Sequence, residues 1–183
     1  MGNLLQAECT PIELAISSQV IEFNNKISHF DGLTNIIEKD LATLDLDKMP
    51  TGWRDGDVYG ELQFGLTETE KRVPMMAGSV TANVDAVCQR CLGPMKLEIQ
   101  IKPKLLLLDS KKPKDDRDEF EVWELTKTEF RPHDIVEELL IMALPLSVMH
   151  NKTTDCEALS SSADGEDRQE LVRPFAALRS QMT

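Results

Sequence analysis

The chain has 183 residues, 41% of them hydrophobic and 28% charged, which is enough to bury the core of one ordinary domain. Its net charge of −12 disfavours long-range attraction to nucleic acid and favours a basic partner. Four cysteines in a chain of this size, with no leader-like start, are not typical of a secreted disulfide-rich protein. No apolar run is long enough to span a membrane. We therefore expect a cytoplasmic protein with no membrane partner.

The N-terminal segment, residues 1–50, has hydrophobic residues at both helical and strand spacings. Pro50-Thr51-Gly52 ends the segment, because proline and glycine interrupt regular structure. One subset of the hydrophobic residues fits a single helical face: Leu33, Ile36, Ile37, Leu41 and Leu44. We predict mixed helix and strand here.

From Val58 onward, hydrophobic and polar residues alternate, which is typical of a half-buried strand. The same alternation recurs over residues 80–87 and 97–102, on either side of the sequence CQRCLGPM. Gly93-Pro94 supplies turn residues between these two strands, so antiparallel pairing is the simplest topology. We predict an α+β fold with an antiparallel β-sheet core, a few helices and a Cys-x-x-Cys hairpin turn.

The second half of the chain predicts a further strand over residues 120–130 and a helix over residues 134–143. Asp134 is the expected N-cap of this helix, with Glu137 three residues later, and Pro145 prevents its continuation. We assign residues 51–156 to a core domain. Residues 157–183 are expected to form an acidic linker and a short C-terminal helix.

No common catalytic motif is found along the chain. It has no glycine-rich phosphate loop, no nucleophile elbow and no His-Glu-x-x-His helix. Glu137 and Glu138 fit a helix cap and a solvated face, whereas His29 and His133 fit structural or surface positions. We therefore predict that the protein is not an enzyme and has no small-molecule substrate.

The cysteines predict a metal site more strongly than any other chemistry. Cys88 and Cys91 are two thiol ligands at a spacing that lets both sulfurs reach one ion, and His150 and Cys156 form a second pair. Together they would make a closed, structural Cys3His zinc site. Two alternatives remain open: reduced cysteines in an ordinary turn, or a thiol redox pair formed by Cys88 and Cys91.

Basic residues are concentrated on and after the Cys-x-x-Cys turn, in contrast to the acidic chain as a whole. Arg90, Lys96, Lys102 and Lys104 are candidates for binding RNA or another partner. The alternative is that the lysines only keep one strand face soluble.

The order of these motifs resembles the YceD family of large ribosomal RNA subunit accumulation proteins. The resemblance rests on AGSVTANVDAV followed by CQRCLGPM, on DIVEELLIMALPLSVMH, on Cys156 and on the terminal RPFAALRS. Arg173 stands where the family usually has Asn, the approach to His150 lacks the usual proline, and residues 1–50 match only loosely. The resemblance implies a factor supporting synthesis, processing or stability of 23S rRNA. Its expected partners are a basic ribosomal protein, precursor rRNA, or both.

Overall fold

A computed structural model describes residues 4–68, 72–109, 120–152 and 156. The helices are α1 (Pro11–Ile16), α2 (Asp31–Leu41) and α3 (Pro132–Ala143), and short 3-10 turns cover Ile27–His29, Leu46–Lys48 and Trp53–Asp55. The strands are β1 (Val20–Lys26), β2 (Asp57–Leu66), β3 (Pro74–Val87), β4 (Pro94–Ile101), β5 (Lys104–Asp109) and β6 (Glu121–Leu125). The predicted linker and C-terminal helix at 157–183 lie outside the described residues.

The strands form one mixed sheet in the order β1-β2-β3-β5-β6, with β4 also paired to β3. Every pairing is antiparallel except that of β5 with β6, which is parallel. The prediction of an α+β fold built on an antiparallel sheet is confirmed, and so is the hairpin formed by β3 and β4. The parallel pair at one edge was not predicted.

Strands β4 and β5 lie end to end along β3 and share one register. Ile101 is opposite Val80, and Lys104 is opposite Ala77, so no residue is gained or lost between the two strands. The interruption coincides with Pro103, which has no N–H to donate, although its carbonyl still accepts a hydrogen bond from the Gly78 amide at 3.2 Å. Residues 94–109 therefore act as one long strand.

The main hydrophobic core contains residues from α2, α3 and one face of the sheet. Phe30, Leu33, Leu62, Met76 and Leu140 are fully buried in this cluster. The alternation predicted for β2 is observed, because Val58, Leu62 and Phe64 are buried whereas the neighbouring Tyr59 and Gln63 are exposed. Side chains from residues 1–50 and from residues 51–156 thus share one core.

Helix α3 begins earlier than the sequence predicted. Pro132 occupies the start of the helix and Arg131 is its N-cap, so the prediction of Asp134 as N-cap is wrong. The fixed φ of proline suits the first helical position, where its missing N–H costs nothing. Asp134 lies in the first turn, and its carboxylate accepts a hydrogen bond from Arg131 Nε at 3.0 Å.

Glu137 caps a different helix from the one that carries it. Its Oε1 accepts hydrogen bonds from the amides of Gly32 at 2.6 Å and Leu33 at 3.2 Å, in the first turn of α2. The N-cap of α2 is Phe30, which has no side-chain oxygen to satisfy these amides. A carboxylate also suits the positive end of the helix dipole. Glu137 therefore joins α3 to α2, whereas Glu138 is exposed.

Replacing Glu137 with alanine should lower the free energy of unfolding by about 1–2 kcal/mol, because two amides of α2 lose a charged acceptor. Glu138→Ala on the same helix is the matched control and should change it by no more than about 0.5 kcal/mol. Urea unfolding followed by circular dichroism measures both. Equal effects of the two substitutions on the free energy of unfolding would contradict the capping of α2 by Glu137.

Candidate metal centre

The first two cysteines lie in the turn that connects β3 to β4. The Cys88 amide donates to the Gly93 carbonyl at 2.9 Å, and the Leu92 amide donates to the Cys88 carbonyl at 2.8 Å. Leu92 has a φ of 54°, in the left-handed region, which lets the chain reverse within this short turn. The turn thereby directs two sulfurs to one side of the hairpin.

The second pair of candidate ligands follows α3, on a segment without helix or strand. The Gln89 amide donates to the Val148 carbonyl at 2.8 Å, which holds this segment against the hairpin turn. The His150 amide lies 3.5 Å from the Cys88 sulfur, to which it donates. On the other side of the turn, Asp40 of α2 accepts a hydrogen bond from the Val87 amide at 3.1 Å. Three parts of the chain therefore meet at the turn.

The structure brings Cys88, Cys91, His150 and Cys156 together, with their donor atoms all within 4.8 Å of one another. His150 Nδ1 is 3.5 Å from the Cys91 sulfur and 3.5 Å from the Cys156 sulfur. Ordinary Zn–S and Zn–N bond lengths at tetrahedral angles require S···N separations of about 3.6 Å and S···S separations of about 3.8 Å. The four residues can hold a metal ion, and the largest distance between their donor atoms would shorten by about 1 Å around zinc.

The hydrogen bonds around Cys88 favour its metal-binding form. Burial raises the pKa of this thiol, but hydrogen bonds from the amides of Cys91, His150 and Arg90 outweigh it and lower the pKa to about 5. This lowered pKa favours the thiolate of Cys88, the form that ligates metals. Burial and the neighbouring Cys88 and Cys156 sulfurs instead raise the pKa of Cys91. A metal ion would offset this crowding of sulfurs.

Arg90 differs from the other three basic candidates, because its guanidinium group is directed into the cluster. Nε donates to the Cys156 sulfur at 3.2 Å, and Nη2 donates to the carbonyls of His150 at 3.0 Å and Lys152 at 3.1 Å. The hydrogen bond to Cys156 raises the pKa of Arg90 above its ordinary value. Arg90 lies between Cys88 and Cys91 in the sequence, but the sequence alone does not predict that its side chain contacts the segment after α3.

Lys96, Lys102 and Lys104 lie on one face of the long strand formed by β4 and β5. All three are exposed, as are Glu98 and Gln100 between them. The Lys96 side chain is 90% exposed and its ammonium lies 4.0 Å from the Asp85 carboxylate, a weak contact. Their role in partner binding remains a prediction.

His133 and Cys9 contact residues that are distant in the sequence and outside the cluster. The His133 ring stacks on Phe30 with centroids 4.5 Å apart, and its Nε2 donates to the His29 carbonyl at 3.0 Å. Cys9 contacts the Phe130 carbonyl, and its pKa is raised by burial and by Glu13. Cys9 is not part of the four-residue cluster.

Comparison with family models gives a match to residues 76–180, more than half of the chain, for the large ribosomal RNA subunit accumulation protein YceD. The chain belongs to the YceD family. This confirms the family predicted from the motifs, and the YceD match includes all four clustered residues. The family name indicates a role in accumulation of large-subunit rRNA, consistent with ribosome biogenesis, and describes an accumulation factor rather than an enzyme.

Other comparisons add no further relative. Searches of curated proteins and of solved structures gave no significant match. Within the described parts of this YceD protein, no helix is both long and apolar enough to cross a membrane.

Proposed function

We propose that this YceD protein is a non-enzymatic factor that supports synthesis, processing or stability of 23S rRNA through a zinc-stabilised partner-binding domain. The family match carries the rRNA role. The domain acts by binding a basic ribosomal protein, precursor rRNA, or both. The net charge of −12 favours the basic protein as the first contact.

Zinc would be structural in this domain. Cys88, Cys91, His150 and Cys156 supply four donors, which fill a tetrahedral site and leave no position for a reacting water. The zinc would join the β3–β4 turn to the segment after α3, about 60 residues away. Such a cross-link makes the turn a rigid platform, because metal binding and folding of the joined segments are coupled.

The partner surface includes the exposed lysine face of β4 and β5. The strand alternation gives Lys96, Lys102 and Lys104 the same orientation. Among the described residues, no carboxylate lies within salt-bridge distance of Lys102 or Lys104, whereas Lys96 lies 4.0 Å from Asp85. These cations can contact phosphate, whereas the acidic remainder of the domain can contact a basic protein. This distribution of charge supports the proposal that one domain binds both a ribosomal protein and rRNA.

The test is depletion of the protein followed by complementation. Depletion should lower large-subunit rRNA relative to small-subunit rRNA, and the wild-type chain should restore it. A charge-removing triple variant should restore it only in part: Lys96→Gln, Lys102→Gln and Lys104→Gln. A matched triple variant removes exposed lysines elsewhere and should restore it fully: Lys39→Gln, Lys48→Gln and Lys127→Gln. An unchanged rRNA ratio after depletion would contradict the function, and equal rescue by both variants would contradict the lysine surface.

A thiol redox function is the second candidate, and the pKa of Cys88 near 5 is the observation that favours it. It requires Cys88 and Cys91 to form a reversible disulfide while the protein is otherwise intact. With zinc bound we expect no disulfide under mild oxidation, because both sulfurs are metal ligands. Rapid, reversible disulfide formation in zinc-loaded protein, detected by mass spectrometry, would favour the redox function instead.

A further inference from the structure

Arg90 connects the turn that carries two of the candidate ligands to the segment that carries the other two. Its three hydrogen bonds reach His150, Lys152 and Cys156, at 3.0, 3.1 and 3.2 Å. Residues 144–152 contain no helix or strand, so no regular backbone hydrogen bonding fixes the position of His150. The Arg90 side chain therefore adds three hydrogen bonds to the two backbone-amide contacts, Gln89 to Val148 and His150 to Cys88, that connect these two parts of the chain.

These contacts depend on the shape of the guanidinium group. Its planar fork donates in several fixed directions at once, which matches two carbonyls and a sulfur around one side chain. A lysine ammonium also has three N–H donors, but all of them are on one nitrogen, so it would not hold all three acceptors in the same geometry. A glutamine would keep one donor group but lose the charge.

Arg90 also has the charge that a zinc-loaded cluster requires. Three thiolates and one divalent cation together carry one net negative charge. Cys88 and Cys156 are 0% and 1% exposed, so this charge would lie where water does little to stabilise it. The positive charge of Arg90, hydrogen bonded to the Cys156 sulfur, makes the whole group neutral.

We propose that Arg90 is a positioning residue of the metal centre, which holds His150 and Cys156 in place for the ion and balances the charge of its thiolates. This inference rests on the proposed zinc site and goes beyond it, since it assigns a role to a residue that is not itself a ligand. The role of Arg90 in binding RNA or another partner remains a separate prediction.

The experiment measures zinc affinity of full-length protein by competition with a chromophoric chelator, for wild type, Arg90→Gln and Arg90→Lys. We expect 10- to 100-fold weaker binding for Arg90→Gln and at least about 10-fold weaker binding for Arg90→Lys, the range for loss of a group that orients metal ligands. Lys96→Gln removes a cation from the same hairpin without a contact to the cluster, and it should bind zinc like wild type.

A second readout separates positioning from general damage to the fold. At saturating Co²⁺, both variants should still show the thiolate and tetrahedral absorption bands of bound cobalt, as wild type does, because the four ligands are unchanged. Circular dichroism checks folding, and if Arg90→Gln does not fold, Arg90→Lys decides. Wild-type affinity in the folded variants, or loss of the tetrahedral thiolate bands at saturation, would overturn the role of Arg90 as a positioning residue and leave the zinc site intact. Absence of zinc binding by wild type would overturn both the site and this inference, whereas the rRNA role would still be tested by depletion.

Discussion

Replacing Cys88 or Cys156 with serine should remove about one zinc ion per chain and lower the melting temperature by about 10 °C. The temperature change follows from linkage: a ligand at 100 to 1,000 times its dissociation constant stabilises a fold by about 3–4 kcal/mol. Elemental analysis of protein purified without a histidine tag gives the zinc content. Differential scanning calorimetry gives the melting temperature.

The chain contains its own control for this experiment. Cys9 is outside the cluster, where it contacts the Phe130 carbonyl and packs against the edge of the main core, so Cys9→Ser should retain zinc and a nearly unchanged melting temperature. A chelator should lower the melting temperature of wild type and Cys9→Ser but not that of Cys88→Ser. Wild-type protein without zinc, with its thiols free to react and an unchanged fold, would contradict the metal centre.

The Gly60→Ala substitution should lower the free energy of unfolding by about 3 kcal/mol, the upper part of the usual range for overpacking. A Cβ at Gly60 would lie 2.3 Å from the Ser79 carbonyl oxygen and 2.9 Å from the Val80 Cα, both in the backbone of β3. Backbone atoms of a central strand cannot move aside as a flexible side chain can. Strands β2 and β3 would therefore have to separate.

Gly65→Ala in the same strand is the matched control for the close approach at Gly60. A Cβ at Gly65 meets only the terminal methyl of Met75, at 3.6 Å, which is an ordinary contact. We expect the free energy of unfolding of Gly65→Ala, measured in urea, to lie within about 0.5 kcal/mol of the wild-type value. Comparable destabilisation by both substitutions would show that loss of a glycine in β2, rather than contact with β3, determines the effect.

The sequence predicted those parts of the fold that follow from local periodicity. Alternation over Val58, Leu62 and Phe64 identified β2, because one face of that strand is buried and the other is not. The Cys-x-x-Cys turn was predicted because turn residues separate two alternating runs. The four candidate ligands could also be chosen from residue type, since cysteine and histidine are the usual ligands of structural zinc and this chain has only four cysteines and three histidines.

Features that depend on distant parts of the chain could not be predicted in this way. The parallel pairing of β5 with β6 depends on the path of the chain between them, which no periodicity encodes. Glu137 was assigned to its own helix because capping patterns are read locally, yet it caps α2. Arg90 was assigned to a binding surface because its positive charge was known and its orientation was not.

The cap supplied by Glu137 has a consequence for how the chain folds as it leaves the ribosome. Synthesis proceeds from the N-terminus, and domains generally fold as units in that order. The amide of Gly32 is synthesised 105 residues before the carboxylate that accepts its hydrogen bond. In a nascent chain that ends before residue 137, the first-turn amides of Gly32 and Leu33 therefore lack the carboxylate that accepts their hydrogen bonds, and α2 is less stable by the value of that cap.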